Sequence, residues 1–212
     1  MTAMEALLGT NKLSNGEDII ENSKSGTNYF AKGHLSPDAA FIEGPEQDAT
    51  YFFFNVAPQF QSFNNGNWKA LEYATRNMAE SIQDTVKVWS GTYGLLSYPD
   101  VNGNDVDIYL YVKDGKKYIP APKYYWKVLQ NGVTGDAIAF VGLNDPHSKD
   151  ILGDEAFCNS ICSTIEGYTK FFKIYIHDLI CKIVLKNRKN LEFNGILRKK
   201  VKDIWFAALF KN

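Results

Sequence analysis

The strongest constraint on the fold is a helical repeat of apolar residues in the middle of the chain. Apolar side chains recur at positions 68, 71, 74, 78 and 82, which is the spacing of one face of an α-helix. Asn64, Asn65 and Asn67 precede this repeat, and asparagine is a preferred residue at helix N-caps. The pattern predicts a helix from Trp68 to about Ile82 that is capped by one of these asparagines.

Segments with the composition of β-strands lie on both sides of this helix. The aromatic and β-branched run from Thr50 to Val56 predicts a strand that is buried on both faces and ended by Pro58. Further strands are predicted at 86–93, 106–112, 117–119 and 137–143, with turns at 102–104 and 114–115. Strands joined by short turns, with few helices, predict an α+β fold with an antiparallel sheet.

Composition limits the classes of protein to which the chain can belong. With 212 residues, of which 45% are hydrophobic and 22% charged, it suits one globular domain with or without an appendage. The net charge of -1 argues against a protein held on nucleic acid mainly by bulk positive charge, so any phosphate binding must be local. The apolar stretches are too short or too interrupted by charges for a membrane span, and residues 1–13 show no secretory signal.

The two ends of the chain differ from its middle. Residues 1–26 are polar and contain turn signals at Asn15-Gly16 and Ser25-Gly26, so we expect a loose lead-in. Order is expected from Tyr29. Residues 166–212 form a divergent tail that is basic between 182 and 202, which is typical either of a nucleic-acid-binding arm or of a solvated amphipathic helix.

The cysteines do not define a metal site or a disulfide framework. Cys158 and Cys162 have i,i+4 spacing, and two such residues on one helix do not easily reach disulfide geometry. Cys181 makes the count odd. Two interpretations of the cysteines remain open: structural or free thiols, and disulfides with another partner. No recognisable zinc-ligand spacing is present.

His34 is a candidate general base for phosphodiester hydrolysis. This reaction needs a base for water and a cation that stabilises the charge developing on phosphorus. An imidazole with an ordinary pKa of about 6.5 can accept a proton at neutral pH. Gly33 permits a backbone geometry that can aim the ring into a cleft. A structural histidine is the alternative interpretation.

The start of the predicted helix offers a candidate metal site. Mg²⁺ takes oxygen ligands and retains several waters, so the amide oxygen of Asn64 is a suitable single protein ligand. Glu72 follows about two helical turns later and can orient metal-bound waters. Arg76 follows Glu72 by four residues and therefore shares its helix face. The alternatives are that Asn64 is a turn residue and that Glu72 and Arg76 form a surface pair.

Taken together, these motifs resemble the DNA/RNA non-specific endonuclease family, which has a ββα-metal site. The resemblance rests on Ala31-Lys-Gly-His-Leu-Ser-Pro-Asp38, Asn55-Val-Ala-Pro-Gln59 and Phe63-Asn-Asn-Gly-Asn-Trp-Lys-Ala-Leu-Glu72, and later on 119–128 and 137–146. It covers residues 27–165 and is greatest for the secreted arthropod branch found in gut and saliva. It implies a central antiparallel sheet flanked by helices, with the metal-site helix beginning near residue 66.

The resemblance also implies roles for individual residues. The general base falls on His34, the metal-ligand asparagine on Asn64 and the glutamate that orients water on Glu72. Arg76 corresponds to the arginine that stabilises phosphate charge, and Asn55 to a structural active-site asparagine. Lys32 stands where the family commonly has arginine; it retains the charge for substrate binding but loses two-pronged hydrogen bonding.

The implied function is hydrolysis of DNA and RNA by a secreted, Mg²⁺-dependent endonuclease, with Mn²⁺ as an alternative ion. Contacts to phosphates alone carry little sequence information, so no sequence specificity is expected. No membrane partner is expected, and the oligomeric state is open. The rival hypothesis is a nucleic-acid-binding protein that kept the fold but lost most turnover, because Lys32 and the divergent end depart from the family pattern.

Overall fold

The computed structural model describes residues 3–148 and 179–183. The described residues belong to two compact units. The first comprises 3–66, 93–124 and 144–148, and the second comprises 67–92, 125–143 and 179–183. Cys158, Cys162 and nearly all of the predicted basic tail lie outside the described residues.

The helices of the described chain lie before Val86, and from there the described elements are strands. The helices are α1 (Ala3–Leu8), α2 (Gly44–Ala49), α3 (Gln61–Phe63) and α4 (Lys69–Ile82). The strands are β1 (Phe30–His34), β2 (Val56–Phe60), β3 (Val86–Leu95), β4 (Ser97–Pro99), β5 (Asp105–Asp107), β6 (Tyr109–Lys113), β7 (Lys116–Pro120), β8 (Pro122–Asn131), β9 (Ala137–Leu143) and β10 (Leu179–Ile183). This mixture confirms the predicted α+β class.

Strands β1 and β2 form an antiparallel pair in the first unit. Phe30 lies opposite Phe60 and His34 lies opposite Val56. The predicted strand from Thr50 to Val56 is wrong, because β2 begins only at Val56 and continues through Pro58. A two-stranded pair leaves the outer backbone groups of each strand without a ladder partner, so a proline can occupy an edge without breaking the ladder.

Residues 3–20 are ordered and contribute to the core of the first unit, in contrast to the expected loose lead-in. Met4, Leu8 and Ile19 are buried in one cluster with Phe60, Leu96, Tyr98, Ile108 and Ala121. Asn11 holds this segment through both ends of its amide, which donates to the Ile20 carbonyl and accepts from the Ile20 N–H. Although this segment contains turn residues, the burial of a few widely spaced apolar side chains orders it.

Helix α4 in the second unit confirms the helix predicted from Trp68 to Ile82. It ends at Ile82, and the capping residue Gln83 has a left-handed conformation with φ of 48°. The N-cap is Trp68, which makes no side-chain capping bond, so the predicted asparagine cap is wrong. The preceding segment Asn64–Trp68 has a wide helical turn in which Gly66 is non-helical. The expected helix start near residue 66 is thus an irregular segment, and regular α-helix begins at Lys69.

Most other strand predictions agree with the structure. β3 and β9 occupy the predicted positions and belong to a sheet with the order β10-β9-β8-β3. Asp114 and Gly115 both have positive φ, as the tight turn of the β6–β7 hairpin requires. The single strand predicted at 106–112 is divided, because Ile108 leaves the strand, donates its N–H to Leu96 and accepts from Ala121.

Asn144 links β2 to the start of β8 within the first unit. Its side chain is fully buried and accepts a hydrogen bond of 2.8 Å from the Phe60 N–H. Its amide donates to the carbonyls of Pro58 and Pro122 at 3.1 and 2.9 Å. A side chain therefore satisfies backbone groups of β2 that the two-stranded ladder leaves unpaired.

Replacing Asn144 with alanine should lower the free energy of unfolding by about 2 to 4 kcal/mol, because buried backbone groups lose their partners. Urea denaturation followed by circular dichroism measures this change. Asn102→Ala is the control, since Asn102 lies in an exposed turn. A loss for Asn144→Ala no larger than that of the control would contradict the bridging role.

Candidate active site

His34 occupies the last position of β1, where the chain turns away from the strand pair. Because side chains alternate along a strand, His34 and Lys32 lie on the same face of β1. The turn after His34 is held by Asn55, whose carbonyl accepts from the Leu35 N–H at 2.9 Å. The position of the imidazole therefore depends on the chain segment just before β2.

Asn55 is the buried residue that fixes this turn. Its side-chain oxygen accepts from the Ser36 N–H at 3.1 Å, and its amide donates to the Ser36 carbonyl at 2.9 Å. The same amide donates to the Thr50 carbonyl at 2.8 Å. Both ends of the amide are engaged by backbone, so the geometry gives Asn55 a positioning function next to His34.

The His34 ring is half-buried against Tyr51. The two rings meet edge to face with centroids 4.5 Å apart, and the Tyr51 hydroxyl donates to Asp38 at 2.9 Å. Burial lowers the pKa of His34 from its ordinary value, Asp38 opposes this shift, and Lys32 adds to it. The lowered pKa favours the neutral imidazole, which is the form that can accept a proton from water.

Lys32 is exposed beside this histidine. Its ammonium lies 5.8 Å from the centroid of the Phe53 ring, within the range of a cation–π contact. Tyr51 therefore contacts the His34 ring, and Phe53 contacts Lys32. The surroundings of His34 combine an exposed cation with aromatic rings.

Asn64 lies in the same unit, directly after α3. Its amide donates to the side-chain oxygen of Gln61 at 3.1 Å. This bond orients the side chain through its nitrogen. The amide oxygen is the atom that can bind a metal ion. Among the described residues, no three histidine, cysteine, aspartate or glutamate side chains gather as a metal cage.

Glu72 and Arg76 belong to the second unit, on α4. Trp68, Glu72 and Arg76 follow one another at intervals of four residues and so share one helix stripe. The Arg76 guanidinium lies 5.9 Å from the Tyr73 ring centroid. The predicted site residues are thus divided, with Lys32, His34, Asn55 and Asn64 in the first unit and Glu72 and Arg76 in the second.

Lys127 is a site residue that the sequence reasoning did not identify. It lies on β8, is fully buried, and places its ammonium 5.0 Å from the Trp68 ring centroid. Burial lowers its pKa to about 8, although Glu72 opposes the shift; Arg76 adds to it. The sequence contains one signal for this residue: a lysine stands between Trp126 and Val128 in an otherwise apolar and aromatic run.

The neutral state of His34 can be tested by NMR titration of its ring protons, whose midpoint should lie below about 6.5. Because the folded-state pKa is lowered, the unfolded chain binds more protons near this pH. The contribution of His34 to stability is therefore present above the unfolded-state pKa and lost as pH falls through the folded-state pKa.

Charge variants check the cause of that shift. Lys32→Met should raise the midpoint, and Asp38→Asn should lower it further, since the two charges act in opposite directions. Lys116→Met is the matched control and should leave the midpoint unchanged. A His34 midpoint at or above the ordinary value would contradict the burial argument.

Comparison with known proteins relates the chain to a family of nucleases. The model of the DNA/RNA non-specific endonuclease family matches residues 9–171. A salivary endonuclease from Lutzomyia longipalpis is 32% identical over 169 residues, covering 70% of this chain and 40% of its own length. Salivary protein Tsal1 from Glossina morsitans morsitans is 33% identical over 159 residues, covering 74% of this chain and 38% of its own.

A more distant relative extends the comparison beyond saliva. Mitochondrial endonuclease G from Homo sapiens is 31% identical over 101 residues, covering 47% of this chain and 33% of its own length. The chain therefore spans two fifths or less of the length of these relatives. The family match covers well over half of the chain, and its similarity is to the arthropod salivary branch. The chain belongs to the DNA/RNA non-specific endonuclease family.

Proposed function

We propose that this chain is a metal-dependent endonuclease that hydrolyses phosphodiester bonds of DNA and RNA. The observation that carries the proposal is the setting of His34, a half-buried imidazole beside Lys32 on a turn fixed by Asn55. A neutral imidazole at a fixed position has the protonation state that a general base needs. Membership of a nuclease family supports this reaction over others that use histidine.

His34 accepts the proton of the water that attacks phosphorus in line with the leaving oxygen. Tyr51 packs edge to face against the ring, and the Asn55 bonds hold the turn. The nucleophile is water and not the ribose 2′-hydroxyl, so the reaction does not require RNA. Lys32 attracts the substrate phosphate, and its single-point charge makes that contact less directional than an arginine contact.

The chemistry of Asn64 fits a magnesium ion. A neutral amide oxygen is a ligand that Mg²⁺ accepts while it retains most of its waters, and it leaves the full charge of the ion available. When bound, Mg²⁺ stabilises the negative charge that develops on the phosphate and leaving oxygen, and Mn²⁺ supplies the same chemistry. Gln61 supports Asn64 by accepting its amide hydrogen.

Glu72 and Arg76 complete the proposed set. With an ion bound, Glu72 would accept hydrogen bonds from its waters, and Arg76 would add positive charge against the phosphate. Lys127 on β8 interacts electrostatically with Glu72, which favours the charged form of this buried ammonium.

The expected partner is nucleic acid, bound locally through phosphate contacts and without sequence specificity. In the described part of the chain, no helix combines the length and apolar character needed to cross a membrane. We propose export from the cell, which the salivary names of the relatives support.

A second candidate is a nucleic-acid-binding protein with little turnover. Lys32 favours it, because the family commonly has arginine at this position and loss of a planar donor weakens phosphate orientation. Salt-sensitive retention of DNA without Mg²⁺-dependent cleavage would favour this candidate.

His34→Gln should lower the rate of cleavage of plasmid DNA and of double-stranded RNA by about 10² to 10⁴, the usual effect of removing a general base. Fragment release in Mg²⁺ is followed by gel electrophoresis under single-turnover conditions. Asn102→Ala serves as the control with wild-type activity. Equal rates for wild type and His34→Gln would rule out the catalytic assignment, whereas salt-sensitive binding without any wild-type cleavage would support the binding protein.

Asn64→Ala should weaken binding of Mn²⁺ by about 10-fold or more, because the ion loses its protein ligand. Electron paramagnetic resonance of free Mn²⁺ during titration measures the affinity without any need for turnover. Gln61→Ala should weaken binding less, since Gln61 only orients the amide. Unchanged Mn²⁺ affinity in Asn64→Ala would exclude this residue as the ligand.

A further inference from the structure

Four consecutive aromatic side chains are exposed directly before Asn55. Tyr51, Phe52, Phe53 and Phe54 have 47, 59, 84 and 62% of their surface accessible to solvent. Single exposed apolar residues are common on proteins, but a contiguous apolar patch usually marks a binding surface. We call residues 51–54 the aromatic platform.

The aromatic platform is part of the structure that holds His34. Tyr51 contacts the imidazole edge to face, and Phe53 lies under the Lys32 ammonium. The backbone is fixed because the Asn55 N–H donates to the Phe52 carbonyl at 2.9 Å. The rings are therefore presented on an ordered turn next to the proposed general base.

Charged side chains near the aromatic platform act differently on the phosphates and on the bases of a bound strand. Asp38 and Asp48 both act on the Tyr51 hydroxyl, so carboxylates lie near this ring. These carboxylates repel phosphates, whereas Lys32, which lies over the Phe53 ring, attracts them. Uncharged groups with flat apolar faces are the chemistry that suits the rings themselves.

We propose that the aromatic platform stacks on unpaired nucleobases of a single-stranded nucleic acid whose phosphate reaches Lys32 and His34. This inference rests on the proposed function and names the form of substrate that it prefers. Bases inside a duplex are stacked on one another and do not expose their faces. Stacking of bases on aromatic side chains tolerates any sequence, because every base has a π-face.

Binding of a single strand can be separated from catalysis by working in EDTA. Fluorescence anisotropy measures the affinity of wild type for labelled dT₂₀ and for an abasic strand of the same length. Wild type should bind dT₂₀ at least about 5-fold more tightly, since stacking on aromatic side chains adds affinity that the abasic strand lacks. Equal affinity for the two strands, or no binding of dT₂₀, would overturn the inference.

Variants of the aromatic platform identify the rings that contact the bases. Phe53→Ala and the double variant Phe52→Ala/Phe54→Ala should each weaken dT₂₀ binding at least about 5-fold and leave abasic-strand binding within about 2-fold. Tyr118→Ala is the matched control, because Tyr118 is an exposed aromatic residue on β7, and it should change neither affinity. Equal losses on both strands would assign the rings a role in holding Lys32 instead of bases.

A different partner on the aromatic platform gives a different experimental result. If a second copy covers the aromatic platform, sedimentation velocity of wild type will show a dimer that Phe53→Ala dissociates, with no change in dT₂₀ binding, and the inference fails. Cleavage assays in Mg²⁺ keep the two proposals apart. Wild-type cleavage with unchanged dT₂₀ affinity in the variants refutes only the stacking, whereas stacking without cleavage by wild type refutes only the nuclease.

Discussion

The buried amide of Asn55 is the interaction on which the candidate active site depends. One side chain satisfies the N–H and carbonyl of Ser36 and the carbonyl of Thr50. No aliphatic residue can replace these bonds, and each buried backbone group left unpaired costs about 1–3 kcal/mol. The turn that carries His34 and the turn that carries the aromatic platform are therefore joined at one residue.

A second buried asparagine performs the same function at the other end of the pair formed by β1 and β2. Two-stranded pairs are marginally stable in isolation, because they leave many backbone groups unpaired. Asn144 supplies partners for backbone groups of Phe60 and Pro58 and ties them to Pro122. A strand that contains proline can thus be held in place without a third strand.

Burial lowers the pKa of two residues in different units. The pKa of His34 is lowered by partial burial, which suits it to proton abstraction. The pKa of Lys127 is lowered by complete burial, but Glu72 favours its charged form. Placing charged or titratable groups away from water is costly, and at both positions a nearby side chain of opposite charge opposes the shift.

Periodicity was sufficient for the elements that local sequence controls. The helix at 68–82, the turn at Asp114-Gly115 and the strand at 137–143 were predictable, because apolar spacing and positive-φ residues act over a few positions. The run from Thr50 to Val56 was misinterpreted, since β-propensity reflects packing against neighbours and these rings pack little. The order of residues 3–26 likewise depends on contacts with distant residues.

By itself, the sequence determined the family, the α+β class and the identities of the candidate residues His34, Asn64, Glu72 and Arg76. These follow from the motifs of the chain and from their resemblance to the family pattern. Only the tertiary structure decided that Asn55 fixes the His34 turn, that Lys127 is buried beside Trp68, and that residues 51–54 face solvent. The physical reason is that burial and hydrogen-bond partners arise from residues far apart in the chain, and they determine charge state and exposure.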